Sequence, residues 1–160
     1  MQNRRNGESI VNNVEERRPS DELSYTLKRF VNAPVGDVWR YWTNPEHLLQ
    51  WFGPAGFQIL DVTTDLTVNG KWTTRMQSSD GSIHLTHGVY LEIKEESRLT
   101  MSQQWDGSNH SSEITVSLIA KGSGTEVVFE HRFLESVPSR ESHAEGWNEA
   151  LDSFERYIAT

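Results

Sequence analysis

No cysteine occurs among the 160 residues, so disulfides, thiolate metal sites and cysteine nucleophiles are excluded; a reducing compartment is compatible with this. Positive charge is scarce as well. Fifteen Lys and Arg stand against 23 Asp and Glu, for a net charge of −8, and no basic cluster offsets the excess. Nucleic acid and acidic membrane surfaces are therefore poor partners. Apolar runs of bilayer length are missing, and the N-terminus has no apolar segment of the signal-peptide kind. A cytoplasmic protein without membrane insertion is expected. Missing too are a phosphate-binding glycine loop, a Gly-x-Ser-x-Gly elbow and a paired-carboxylate motif. No cofactor is expected, and no catalytic residue can be assigned.

What is present is ordinary for a folded protein: 35% hydrophobic and 24% charged residues, in a chain long enough for one domain with a buried core. Residues 1–22 are polar, mixing Arg4, Arg5, Arg17 and Arg18 with acidic residues, and are expected to form a flexible tail. From Ser24 to Asn32 apolar and polar residues alternate as in a half-buried strand. Pro34 then suits the first turn of a helix carrying Val35, Val38, Trp39 and Trp42 at helical spacing. Thr43-Asn44-Pro45-Glu46 starts a second short helix, stopped by Gly53-Pro54. Phe57 to Phe133 reads as strands. Asn69-Gly70 and Asp80-Gly81 are expected to be two-residue hairpin turns, Asp106-Gly107 and Lys121–Gly124 looser ones. Leu99, Met101, Gln103 and Trp105 share a face, as do Ile114, Val116 and Leu118, and Val127, Phe129, His131 and Phe133. An antiparallel meander with one apolar face needs a cover. The run Ser139–Ala159 supplies it, with Ala144, Trp147, Leu151, Phe154 and Ile158 at steps of three and four. Glu141, Glu145, Glu149, Asp152, Glu155 and Arg156 are expected on the outer face.

Strand, two short helices, meander and long terminal helix is the order of the START-like, Bet v-like helix-grip superfamily. Asn32-Ala-Pro-Val35, Val38-Trp39, Trp42-Thr-Asn-Pro-Glu-His47, Trp51-Phe-Gly-Pro54, Gly88-Val-Tyr-Leu-Glu-Ile93 and His143-Ala-Glu-Gly-Trp147 together resemble its activator-of-heat-shock-protein-ATPase-homologue branch, often labelled SRPBCC. The resemblance covers Leu23 to Thr160. It implies an α+β helix-grip fold over residues 23–160: a curved antiparallel sheet wrapped on a long C-terminal helix, with two short helices after the first strand. The family usually shows paired glycines after Asp-x-Arg, where this chain has Asp65-Leu-Thr-Val-Asn69-Gly70. The Arg is absent. Asn69 stands for the first glycine and tolerates the positive φ needed there.

The resemblance implies a cavity rather than a chemistry. A curved sheet closed by one helix leaves space for a small hydrophobic molecule of lipid, polyketide or phenolic type. The aromatic set Trp39, Trp42, Trp51, Trp72, Tyr90, Trp105, Phe129 and Trp147 could equally be core. The expected ligand-binding residues are Trp72, Tyr90, Trp105, Phe129, His131, His143, Trp147, Leu151 and Phe154. His143 lies one turn before Trp147, at the pocket mouth or at an ordinary helix start. His131 points a polar group inward and is otherwise a satisfied core histidine. His84 and His87, three apart on a strand, face opposite sides, so no metal site is expected. Binding is the first reading. A cyclase or hydrolase using the same cavity is the alternative, and stimulation of a heat-shock chaperone ATPase ranks last, because relatives that do so carry an extra domain. A monomer or weak homodimer is expected.

Overall fold

The computed structural model describes residues 23–160; the tail expected over residues 1–22 lies outside them. Ten elements follow one another: β1 (Tyr25–Val31), α1 (Val35–Thr43), α2 (Pro45–Trp51), β2 (Gln58–Thr64), β3 (Lys71–Gln77), β4 (Ile83–Lys94), β5 (Arg98–Trp105), β6 (Ser112–Lys121), β7 (Gly124–Arg132) and α3 (Val137–Ile158). The strands form one antiparallel sheet in the order β1-β7-β6-β5-β4-β3-β2. β1 closes one edge by pairing with β7, setting Tyr25 opposite His131 and Val31 opposite Thr125. The register shifts between Ile59 and Asp61 in β2 and between Tyr90 and Glu92 in β4. Such irregularities bend and over-twist a strand, which helps curl the sheet. The helices cover its concave face.

Local chemistry explains the helix ends. The Asn44 side chain accepts from the Glu46 backbone N–H, and Pro45 opens α2. Ser136 caps α3 by accepting from the Ser139 N–H, with Pro138 inside the first turn. The helix therefore begins earlier than the expected Ser139, because proline is tolerated where no intrahelical N–H partner is needed.

The turns depart from expectation. Asn69-Gly70 ends a six-residue connection rather than forming a two-residue hairpin. Asn69 holds φ 70° and donates its N–H to the Tyr90 carbonyl. Asp80-Gly81 belongs to a five-residue loop, closed by Gly81 N–H to Ser78 and by the Asp80 carboxylate accepting from Ser78 Oγ and the Ser82 N–H. The tight two-residue hairpin is instead Gly122-Ser123. Lys121 and Gly124 pair across it, and Gly122 holds φ 61° at the position where a type II′ turn wants glycine. Phe133 also departs. β7 stops at Arg132, Phe133 turns out at φ 63°, and the Arg132 guanidinium sits 4.8 Å from its ring centroid. The apolar alternation of β7 thus ends at His131.

The core is aromatic. The Trp42 ring lies 4.6 Å from Trp51, 5.7 Å from Phe154 and 6.4 Å from Trp147, the last stacked. Phe129, Phe154 and Ile114 are fully buried. Gly88 serves this packing directly. A Cβ there would overlap the Ser102 carbonyl and the Trp72 indole; its absence lets Trp72 Nε1 donate to that carbonyl at 3.0 Å.

Candidate functional site

A cavity of about 320 Å³ opens between the first half of α3, the loop after α2 and the inner face of β3–β5. Strand alternation sends Met76, Thr86, Gln103 and Trp105 inward from the sheet, and Phe52, Pro54 and Phe57 close one side. Facing them, α3 contributes His143, Glu145, Gly146, Trp147, Glu149 and Ala150. The space exists because the facing positions are short or polar. Thr86 and Gln103 are the inward residues there, and Gly146 offers no side chain.

The polar groups are few. Thr86 and Thr74 share a hydroxyl hydrogen bond at 2.8 Å. Gln103 is 5% exposed, and its Oε1 is buried without a partner among the described residues. The His143 Nδ1–H donates to the Ser139 carbonyl at 2.8 Å. Nδ1 therefore cannot also accept the Ser139 hydroxyl proton at 3.3 Å, and this Ser–His contact does not activate a nucleophile. Glu149 accepts the Ala55 N–H at 3.1 Å, tying α3 to the loop after α2.

Behind the cavity runs a buried hydrogen-bond chain. Tyr25 Oη lies 2.7 Å from His131 Nδ1, His131 Nε2 lies 2.8 Å from Ser112 Oγ, and Ser112 Oγ donates to the Gln103 carbonyl at 3.4 Å. One arrangement satisfies every member: the tyrosine donates to Nδ1 and the Nε2–H donates to serine. Burial, and secondarily the neighbouring His143, pushes the His131 pKa down to about 3. Burial raises the Tyr25 phenol far above its usual range. At neutral pH this pair is neither a useful base nor a useful acid.

Of the nine residues expected to bind ligand, Trp105, His143 and Trp147 line the cavity. Trp72, Tyr90, Phe129, Leu151 and Phe154 are packed in the core cluster, and His131 is wholly buried in its chain. Tyr90, closed in and near Asp65, has its phenol raised to about 12. Phe52, Phe57, Met76, Thr86, Gln103, Glu145 and Glu149 also line the cavity without having been singled out. Alternation had marked Gln103 as inward, the one signal available for it. Glu145, exposed as expected, and Glu149, half-buried, also border the mouth. His84 is half-buried beside Phe57 and Trp105, while His87 is exposed. No group of three or more potential ligands among the described residues is placed to hold a metal.

The family model described as Activator of Hsp90 ATPase homolog 1-like protein matches residues 32–159. No curated protein matches the chain. Among solved structures, a Nitrosomonas europaea protein is similar at 28% identity and TM-score 0.76, over 86% of this chain and 95% of that one. A Rhizobium leguminosarum protein is similar at 25% identity and TM-score 0.73, over 85% and 93% of the respective chains. The AHSA1 protein of Silicibacter pomeroyi, at 21% identity, TM-score 0.76 and coverage of 85% and 97%, shares the fold.

Proposed function

We propose, for a chain that belongs to the Activator of Hsp90 ATPase homolog 1-like family, that it binds a hydrophobic small molecule of lipid, polyketide or phenolic type in the cavity beneath α3. The observation that carries this reading is the cavity itself. About 320 Å³ is bounded mainly by Phe52, Pro54, Phe57, Met76, Trp105 and Trp147, with a handful of polar groups. That composition and size suit a small-ligand site, at the lower end of the roughly 300–1,000 Å³ such sites span. Binding is favoured over catalysis because Tyr25 and His131 are buried behind the lining and held neutral, while in the lining the His143 Nδ1–H is committed to the Ser139 carbonyl and Glu149 accepts the Ala55 N–H. Native mass spectrometry of freshly purified protein tests the proposal. A co-purified mass that an apolar competitor displaces supports it; a protein that binds nothing from a broad panel of flavonoids, fatty acids and steroids overturns it.

A second reading, contact with a chaperone, has one observation in its favour: Ile83, Leu85 and Leu91 are exposed on β4. Stimulation of a chaperone ATPase that is lost in Leu85→Glu and kept when the cavity is blocked would select it. No helix among the described residues is long and apolar enough to cross a membrane.

A further inference from the structure

Resting on the ligand-binding reading, we infer that the cavity selects uncharged aromatic molecules bearing a hydroxyl or N–H donor and rejects carboxylates. Charge is the first ground. No Lys or Arg among the described residues lines the cavity, while Glu145 and Glu149 border it. A carboxylate entering would lose its hydration without gaining a cation, and would face two like charges.

Hydrogen-bonding balance is the second ground. The Gln103 oxygen is buried and unpartnered, and a half-turn of the amide exchanges oxygen and nitrogen in space, so it can meet a donor presented from the cavity. With Nδ1–H committed to the Ser139 carbonyl, Nε2 is the ring nitrogen that His143 has left for a guest. The Thr86 hydroxyl is already engaged with Thr74. A guest hydroxyl or N–H that donates to the Gln103 oxygen supplies the partner that this buried atom lacks. Shape is the third. Phe52, Phe57, Trp105 and Trp147 offer ring faces and edges, and the volume suits one or two fused rings.

Three probes sharing one ring system test this on the full chain at neutral pH by isothermal titration: 2-naphthol, 2-methoxynaphthalene and 2-naphthoate. 2-Naphthol should bind about tenfold more tightly than its methyl ether, the worth of one good hydrogen bond. 2-Naphthoate should be the weakest. In Gln103→Leu the preference of 2-naphthol over the ether should shrink toward one. Glu145→Gln combined with Glu149→Gln should raise 2-naphthoate affinity several-fold, since the amide oxygen at position 149 can still accept the Ala55 N–H. If wild-type protein binds 2-naphthoate as tightly as 2-naphthol, the inference is overturned, and that ranking needs no folded variant. If all three bind and Gln103→Leu keeps the full preference for 2-naphthol, Gln103 is not the determinant and the inference falls. If none of the three binds while a fatty acid or steroid does, the inference falls and the ligand-binding reading stands; if nothing binds, both fall. A wrong order among bound probes removes the inference alone.

Discussion

From Leu151 to Ile158, α3 is fastened on several sides, whereas from Ser142 to Ala150 it borders a cavity. In the second half, Leu151 and Phe154 are fully buried against the Trp42–Trp51 cluster. Arg29 of β1 reaches Asn148, Asp152 and Glu155 at 3.0–3.2 Å, and Tyr157 shares a 2.7 Å hydrogen bond with His47 of α2. In the first half Trp147 alone is buried, packed on Phe129 and Phe52 at 4.7 and 5.2 Å. One helix thus serves two ends. The packed end supplies stability, and the hollow end leaves room that the folded state does not need to fill.

Substitutions at the two ends should therefore report on different properties. The largest effect is expected at Phe154→Ala, which deletes a fully buried ring and should cost about 3–5 kcal/mol in urea unfolding. A loss under about 1 kcal/mol would mean that the packed end is not the anchor.

His131 sits on the sheet beside His143 of the hollow end, 5.2 Å away between ring centroids, and gives a pH signature. Its folded-state pKa is near 3 against 6.5 for an unperturbed ring, so below pH 6.5 the unfolded chain takes up a proton that the folded chain refuses. Stability should fall as pH drops through that window, by roughly 2 kcal/mol between pH 6.5 and pH 5 from this group. His131→Gln should flatten that slope in denaturation series, although it lowers stability throughout. An unchanged slope would contradict the assignment.

A smaller change is expected from Trp147→Phe, which keeps a ring while removing the indole. Affinity for an apolar ligand should shift by about 1–2 kcal/mol and the ligand-dependent fluorescence change should shrink; an unaltered response would take Trp147 out of the site. Smallest, and opposite in sign, is Gly146→Ala. A Cβ there meets only Pro54, at 3.8 Å, so the helix should gain about 0.5–1 kcal/mol while the cavity narrows. Raised thermal stability with weakened ligand binding would sharpen the contrast between the two ends.

Much of the fold was legible in the sequence. The 3.6-residue spacing of Trp147, Leu151 and Phe154 and the alternation of Leu99, Met101 and Gln103 each point at one face, and those faces meet. Turn geometry was less legible. Asn69-Gly70 has the residue types of a tight hairpin, yet tertiary pairing of Asn69 N–H with Tyr90 draws it into a longer loop. The site was legible only in part, for a physical reason. Periodicity says which side a residue faces, not how far the opposing element stands off. Trp105 and Phe129 share the concave face, but one borders the hollow end and the other is sealed beneath Trp147. Charge usually marks the outer side of a helix, so periodicity alone puts Glu145 and Glu149 toward solvent. Here the helix stands away from the sheet, and the same carboxylates border a mouth.

The most direct test of the two-ended account is the set of six tryptophan indole N–H resonances, assigned by single Trp→Phe substitutions and followed during titration with 2-naphthol. The account predicts that Trp105 and Trp147 move with ligand while Trp39 and Trp51, in the packed cluster, stay in place. Shifts confined to Trp39 and Trp51, or no shift at any indole at saturating ligand, would contradict it.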